Sequence, residues 1–319
     1  MVHLDRAKEI TITFFLSGTI SMTTKTLVAP MERTKMILQN QGSAYQVLTG
    51  ERKPYNGVLD VLRRIPKEQV GYLAFWRGNG VNLIRTFPTM AFNFAFNDIY
   101  NNISNLFYDT KKYFAFSKLS CGGLAGFTTG TLLYPLEFCQ TKLASDFGSD
   151  PHFVKDRVQR EYSGLSNCIY KVYHREGFLG YYKGWIVECQ GIFWYRGLYF
   201  GLHALSKDRY LKWSNIKDGK VPFLPNFLLA MMTTVTAGCA AYPFDTVGRR
   251  LMLDSAREKE YKLFNNSRDA VRKLYKQGGI RIFYKGALVN SVRSVSSALV
   301  LSLYDLILDA TDWKNKIKK

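Results

Sequence analysis

The 319-residue chain has no wholly apolar run of about 18–20 residues, the usual mark of a membrane-crossing helix. It has no CxxC motif, and its five cysteines (Cys121, Cys139, Cys168, Cys189, Cys239) follow no pairing pattern. That excludes a disulfide scaffold and points to buried thiols or reducing surroundings. Its four histidines are scattered, so no metal site is expected. The glycines of "GNG" at 78–80 lack a dinucleotide fingerprint, and no catalytic constellation is found. Neither an enzyme nor a cofactor is therefore expected. The start, "MVHLDRAKEITITFF", carries acids and no small-residue cleavage site, and is not read as a signal or transit peptide. Acids are scarce: 25 Asp+Glu against 44 Lys+Arg leave a net charge of +19. Such a surplus calls for anionic partners, whether nucleic acid, anionic lipid or phosphate-bearing metabolites.

What the chain does have is a set of apolar stretches, each 20–30 residues long and interrupted by one or two charges. Charges in such segments are expensive in lipid, so they are expected to face a watery interior. The alternative is a soluble protein of amphipathic helices, and internal repeats decide between the two. "APMERTKMILQ", "YPLEFCQTKLA" and "YPFDTVGRRLM" each place an acid two residues after a proline, at Glu32, Glu137 and Asp245. Their prolines, Pro30, Pro135 and Pro243, lie 105 and 108 residues apart. An aromatic-basic-glycine motif ends at Gly78, Gly184 and Gly286, with spacings of 106 and 102. A further glycine (Gly71, Gly177, Gly279) stands five residues before the last aromatic of each. Two independent signals with one period of about a hundred residues indicate three homologous modules.

The repeats are placed at 8–107, 111–211 and 220–312. Each consists of an apolar helix ending at the Pro-acid motif, a charged stretch with a short amphipathic helix, and a second apolar helix. The six long helices are expected at 8–39, 79–105, 113–145, 185–208, 222–253 and 287–310. The fold class is thus an all-α, multi-pass membrane protein with pseudo-threefold symmetry. Proline within a helix removes a hydrogen bond and bends the axis, which neighbouring helices in a membrane can compensate. Three bends at one level would bring the three acids together. Gly122, Gly126 and Gly130, with Ser17, Ser21, Thr234 and Gly238, form small-residue faces that allow close helix approach.

These motifs, "Px[DE]xx[KR]" followed by an aromatic-basic-glycine, three times over nearly the whole chain, resemble the mitochondrial carrier family. Within it, "APMERTKMILQNQ", "RIPKEQVGYLAFWRGN", "IRTFPTMAFNFAFND" and "YPFDTVGRRLML" are most similar to the ADP/ATP carrier branch. That branch's signature RRRMMM reads GRRLML here, from Gly248 to Leu253. The resemblance implies a multi-pass protein of the mitochondrial inner membrane that exchanges ADP and ATP by alternating access, with the short helices on the matrix side.

Seven residues after each motif glycine stand Arg85, Gly191 and Arg293, at one depth of a threefold bundle. Two arginines there can grip a polyphosphate through charge-assisted bonds. Gly191 leaves room for a flat ring between Ile192 and Tyr195. The resemblance gives Lys25, Arg85 and Arg293 to the phosphates, Gly191, Ile192 and Tyr195 to the adenine end, and adds Asn290 and Arg249. Alone, Lys25 reads as a snorkelling lysine and a single arginine as a structural ion pair. Together they favour phosphate binding. Tyr195, Tyr199 and His203 lie at four-residue spacing, as a ladder toward the site or a packing stripe.

The resemblance also supplies two gates. On the matrix side the acids Glu32, Glu137 and Asp245 meet bases three residues after the next motif's acid. Those positions hold Lys35, Gln140 and Gly248, so Asp245–Lys35 is expected as an ion pair and Glu32–Gln140 as a hydrogen bond. Glu137 is expected to lose its partner, a change worth about 3–5 kcal/mol for a buried pair unless Lys142, Arg249 or protonation compensates. The cytoplasmic gate would consist of Asp98, Lys207 and Asp305. Cardiolipin is implied at helix starts near Gly57 and Gly164, beside Gly78, Gly184 and Gly286, where exposed N–H groups and Arg77, Lys183 and Lys285 suit a phosphate. The third such start reads "FNN" (Phe264–Asn266), with Asn, which tolerates left-handed backbone, where glycine is usual. The eroded gates motivate a second function from another class, a structural subunit of a larger inner-membrane assembly. A nucleic-acid binder would explain the charge but not three bent apolar repeats.

Overall fold

The computed structural model describes residues 2–69, 71–107, 114–148, 160–214, 222–257 and 259–296. The long helices are α1 (Val2–Asn40), α4 (Asn79–Phe107), α5 (Phe114–Ala144), α7 (Trp185–Trp213) and α8 (Phe223–Asp254). A further helix, α10, starts at 287 and is described as far as 296. Between them lie a short α2 (Tyr45–Leu48) and the amphipathic α3 (Val58–Glu68), α6 (Leu165–Glu176) and α9 (Ser267–Gly278). No strand occurs among the described residues. The expected helices are found, α1, α4 and α7 somewhat longer than expected and α5 and α8 within a residue at each end, and the end of the sixth lies outside the described residues.

Among the described residues only 224–254 is long and apolar enough by composition alone to cross a membrane. The other long helices carry the interrupting charges noted in the sequence. They present bare apolar side chains outward: Leu27, Leu124, Phe193 and Leu288 are all more than half exposed. A soluble protein would bury such a set, so its natural surrounding is lipid.

Three small cores close one end of the bundle, and each is built the same way. Phe75, Tyr181 and Phe283, from the aromatic turns, pack with the odd-helix residues Ile37, Phe138 and Val247. Buried residues of the amphipathic helices, Ile65, Val172 and Leu274, complete them. Each core also takes a valine from the start of another repeat's second long helix: Val289, Val81 and Val187 in turn. The seams therefore run around a closed ring, and no repeat can bury its apolar face alone.

The motif glycines explain how the ring closes. Gly78, Gly184 and Gly286 have φ of 87°, 88° and 87°, left-handed backbone that side-chain-bearing residues avoid. A Cβ at Gly78 would lie 3.1 Å from the Ala144 backbone, at Gly184 2.6 Å from the Gly248 carbonyl, and at Gly286 3.2 Å from the Lys35 carbonyl. Each glycine thus lets one repeat's backbone rest on the odd helix of the next. Within repeats two and three the tyrosine before the proline braces the same junction. Tyr134 donates to the Lys183 carbonyl at 3.2 Å, and Tyr242 to the Lys285 carbonyl at 3.1 Å. Repeat one has Ala29 there and uses Trp76, whose indole donates to the Thr26 carbonyl at 2.8 Å.

The glycine face of α5 serves a different purpose from the one expected. Gly122 and Gly130 have nothing within reach of an added Cβ, while at Gly126 it would strike the Arg196 guanidinium of α7. Arg196 also donates to the Gly122 carbonyl at 3.3 Å. The missing side chain makes space for a long cation, not for a neighbouring helix backbone.

Candidate functional site

The three prolines lie inside α1, α5 and α8, and the acids beyond them converge at the closed end. Lys35 Nζ lies 2.8 Å from Asp245 Oδ2, joining repeats one and three. Gln39 donates to the same oxygen at 2.9 Å, and Arg249 Nε lies 2.8 Å from Asp245 Oδ1. Gln140 Nε2 donates to Glu32 Oε1 at a long 3.4 Å, and Asn82 Nδ2 reaches the other oxygen at 3.1 Å.

Glu137 differs from expectation. It is not stranded: Arg85 Nη1 lies 2.6 Å from its Oε2, and Arg249 Nη2 lies 3.8 Å from its Oε1. Lys142 plays no part. It is buried, donating to Tyr162 and to the carbonyls of Leu253 and Ser255, where it ties α5 to the end of α8.

Above this layer the interior opens into two adjoining lobes. One, of about 210 Å³, is lined by Arg85, Arg293, Lys35, Arg249, Glu32 and Glu137, with Gln140 and Met36. The other, of about 250 Å³, shares Lys35, Arg249 and Arg293 and adds Gly191, Ile192, Tyr195 and Asn290. Arg293 Nη2 donates to Asn290 Oδ1 at 3.4 Å. Lys25 lines neither lobe; its Nζ donates to Thr86 Oγ1 at 2.9 Å, one residue from Arg85 on α4. Cations and ring-sized space therefore occur side by side, with Arg249 and Arg293 lining both lobes and Arg85 only the first. Gly191 does not itself leave the expected room for a flat ring: an added Cβ would lie 2.9 Å from Phe244 Cβ, so its missing side chain admits α8 instead.

Tyr195, Tyr199 and His203 stack in sequence, with centroids 6.2 and 6.0 Å apart and planes 14° and 2° from parallel. Toward the open end, Asp98 is exposed and Lys207 half-buried, and neither pairs with the other. Asp305 lies outside the described residues.

Two residues that the repeat argument passed over belong to this interior. Glu188 lines the Gly191 lobe with a buried, unpartnered Oε2, and its Cβ lies 3.7 Å from where a side chain on Gly248 would begin. Asn82 reaches Glu32 from the gate side. Both stand four residues after a motif glycine, as Asn290 does, and that register is the signal that would have found them.

On the outer face, a cavity of about 890 Å³ lies between α7, α8 and α9. Ile186, Phe244 and Val271 line it, together with Arg268 and Arg272. Gly57 and Gly164 occupy the caps of α3 and α6 without a side-chain bond. Asn266 caps α9 differently from expectation: its φ is −152°, extended, and its side chain accepts from the Asp269 N–H at 2.9 Å.

A ring of three helical repeats, apolar outside, sealed at one end and holding a cation-lined cavity, has the architecture of a membrane carrier. The family model for the mitochondrial carrier protein matches residues 6–107, 111–213 and 219–312, and the chain belongs to that family. It is 40% identical to ADP/ATP translocase 2 of Bos taurus over 308 residues, 95% of this chain and 98% of that protein. It is equally 40% identical to ADP/ATP translocase 4 of Mus musculus over 294 residues, 91% of this chain and 87% of that one. Against ADP/ATP translocase 3 of Homo sapiens the figure is 40% over 297 residues, covering 92% and 94%. As a member of a carrier family the protein is a transporter, not an enzyme.

Proposed function

We propose that this carrier exchanges ADP for ATP across the mitochondrial inner membrane by alternating access. The observation that carries the proposal is the pair of lobes: Arg85 and Arg293 line one, and Arg293 lines the other together with Ile192, Tyr195 and Asn290. The phosphates would lie against Arg85, Arg293 and Lys25, and the ring against Tyr195, with Asn290 and Arg249 at its edge. Guanidiniums bind phosphate oxygens in pairs, and a low-dielectric cavity strengthens such contacts. Similarity to proteins named ADP/ATP translocases supports the same choice. Glu32, Glu137 and Asp245 with Lys35 and Gln140 would form the matrix gate, and Asp98, Lys207 and Asp305 the cytoplasmic one. Cardiolipin is proposed as a lipid partner at Gly57, Gly164 and the junctions Gly78, Gly184 and Gly286, with acyl chains along the outer cavity beside α9.

Purified protein in liposomes loaded with ATP should take up labelled ADP, and liposomes without internal nucleotide should take up far less. No uptake in either case, with the protein recovered instead in a stoichiometric membrane assembly, would replace transport by a structural role.

A further inference from the structure

Arg85 has two jobs that exclude one another. Under the proposed function, on which this inference rests, it holds a phosphate. In the structure it holds Glu137, at 2.6 Å, with both side chains about one-fifth exposed to the cavity. The cause lies elsewhere. Position 248, from which a base would meet Glu137, is glycine, and Glu137 has drawn its counter-ion from the substrate cavity instead. Asp245 has no such need, since Lys35, Gln39 and Arg249 surround it. Arg249 lies closer to Asp245, at 2.8 Å, than to Glu137, at 3.8 Å, so it serves Glu137 only in part.

We propose that Glu137 is a built-in competitor of the substrate's phosphate, and that it sets the charge a ligand must carry to be held. A carboxylate tethered beside Arg85 acts at high effective concentration. A nucleoside monophosphate has one phosphate with which to displace it. A di- or triphosphate can grip a second cation of the same cavity while its terminal phosphate exchanges for Glu137. Apparent affinity falls by the fraction of time Arg85 is free, so Glu137 weakens all nucleotides, monophosphates most.

Two chemically opposite changes should release Arg85. Glu137→Gln removes the competitor's charge. Gly248→Arg gives Glu137 another partner, and its Cβ would meet only ordinary contacts, 3.6 Å from the Gly184 carbonyl and 3.7 Å from Glu188 Cβ. Binding of ADP and AMP to the detergent-purified protein, by calorimetry, tests this. If Arg85 is free about a tenth of the time, both variants should tighten AMP about tenfold and ADP by a smaller factor. The double variant should gain no more than Glu137→Gln alone. ADP affinity unchanged or weakened in both folded variants overturns the inference and leaves the transport proposal standing. No nucleotide binding by the unaltered protein or either variant overturns both.

Discussion

Two seams of the closed end were cut from one pattern and have diverged. Between repeats three and one, Asp245 meets Lys35 at 2.8 Å, Gln39 at 2.9 Å and Arg249 at 2.8 Å, so its charge is matched on three sides. Arg250 strengthens the same seam by donating twice to the Gln39 carbonyl, at 3.1 and 3.0 Å. Between repeats two and three the motif base is missing, and Gly248 rests against Gly184. The backbone there is as tight as anywhere, while the charge of Glu137 is balanced from the cavity above. Seal and lock are thus separable. Packing of motif glycines holds the ring in all three repeats, and ionic locking can weaken at one seam without opening the wall.

The largest effect should come from breaking the intact seam. Asp245→Ala leaves Lys35, with its side chain only 8% exposed, facing Arg249 with no acid between them. Removing one partner of a buried pair costs about 3–5 kcal/mol, and thermal unfolding in detergent should show a clear fall. Lys35→Ala should cost less, about 2 kcal/mol by the same argument, because Asp245 keeps Gln39 and Arg249. Equal losses would mean that Asp245 is not the hub of this seam.

The packing half of the comparison is tested next. Gly184→Ala forces left-handed backbone and sets a Cβ 2.6 Å from the Gly248 carbonyl. Strain of this kind costs about 1–3 kcal/mol before the clash is added. Gly50→Ala also takes a positive φ, 77°, but in open space, and should cost only about 1 kcal/mol. A Gly50 variant as damaging as the Gly184 one would show that conformation, not close approach, dominates.

The weak seam between repeats one and two offers a gain. Gln140→Arg replaces the uncharged donor of a 3.4 Å bond to the Glu32 carboxylate by a guanidinium. Under the proposed exchange, an added stability of about 1 kcal/mol in this closed state should slow ADP uptake in liposomes roughly fivefold when opening limits the rate. Unchanged or faster exchange would mean that this seam does not restrain opening.

Most of the frame was legible in the sequence because it is repeated. The Pro-acid and aromatic-basic-glycine periods located six helices and three acids, and the family resemblance added the Lys35–Asp245 pair and the Gln140–Glu32 bond. What escaped was what the repeat does not encode. Arg85 as the partner of Glu137 is a contact between second and first repeats that follows from an absence at 248, and no spacing rule announces it. Glu188 stands four residues after Gly184, where the other repeats carry Asn82 and Asn290, so the register marks the position but does not foretell an acid there. The glycines of α5 were read as a helix contact because four-residue spacing suits one, whereas the deciding fact is a long side chain, Arg196, arriving from α7. Patterns within a helix are visible to a periodic argument; partners chosen across helices depend on which side chains happen to be short.

The smallest effect lies on the rim, where α9 differs from α3 and α6. Gly57 and Gly164 leave the first-turn N–H groups of their helices without a side-chain cap, whereas Asn266 fills that role for α9 through the Asp269 N–H. A helix start satisfied by its own cap has less to offer an anionic headgroup. Asn266→Gly should cost only a few tenths of a kcal/mol in bare detergent, since glycine is a tolerable cap. The same change should enlarge the rise in melting temperature on adding cardiolipin, because it frees an N–H beside Arg268 and Arg272. If the lipid-dependent rise stays the same or shrinks, the capping asparagine does not distinguish this site from the other two.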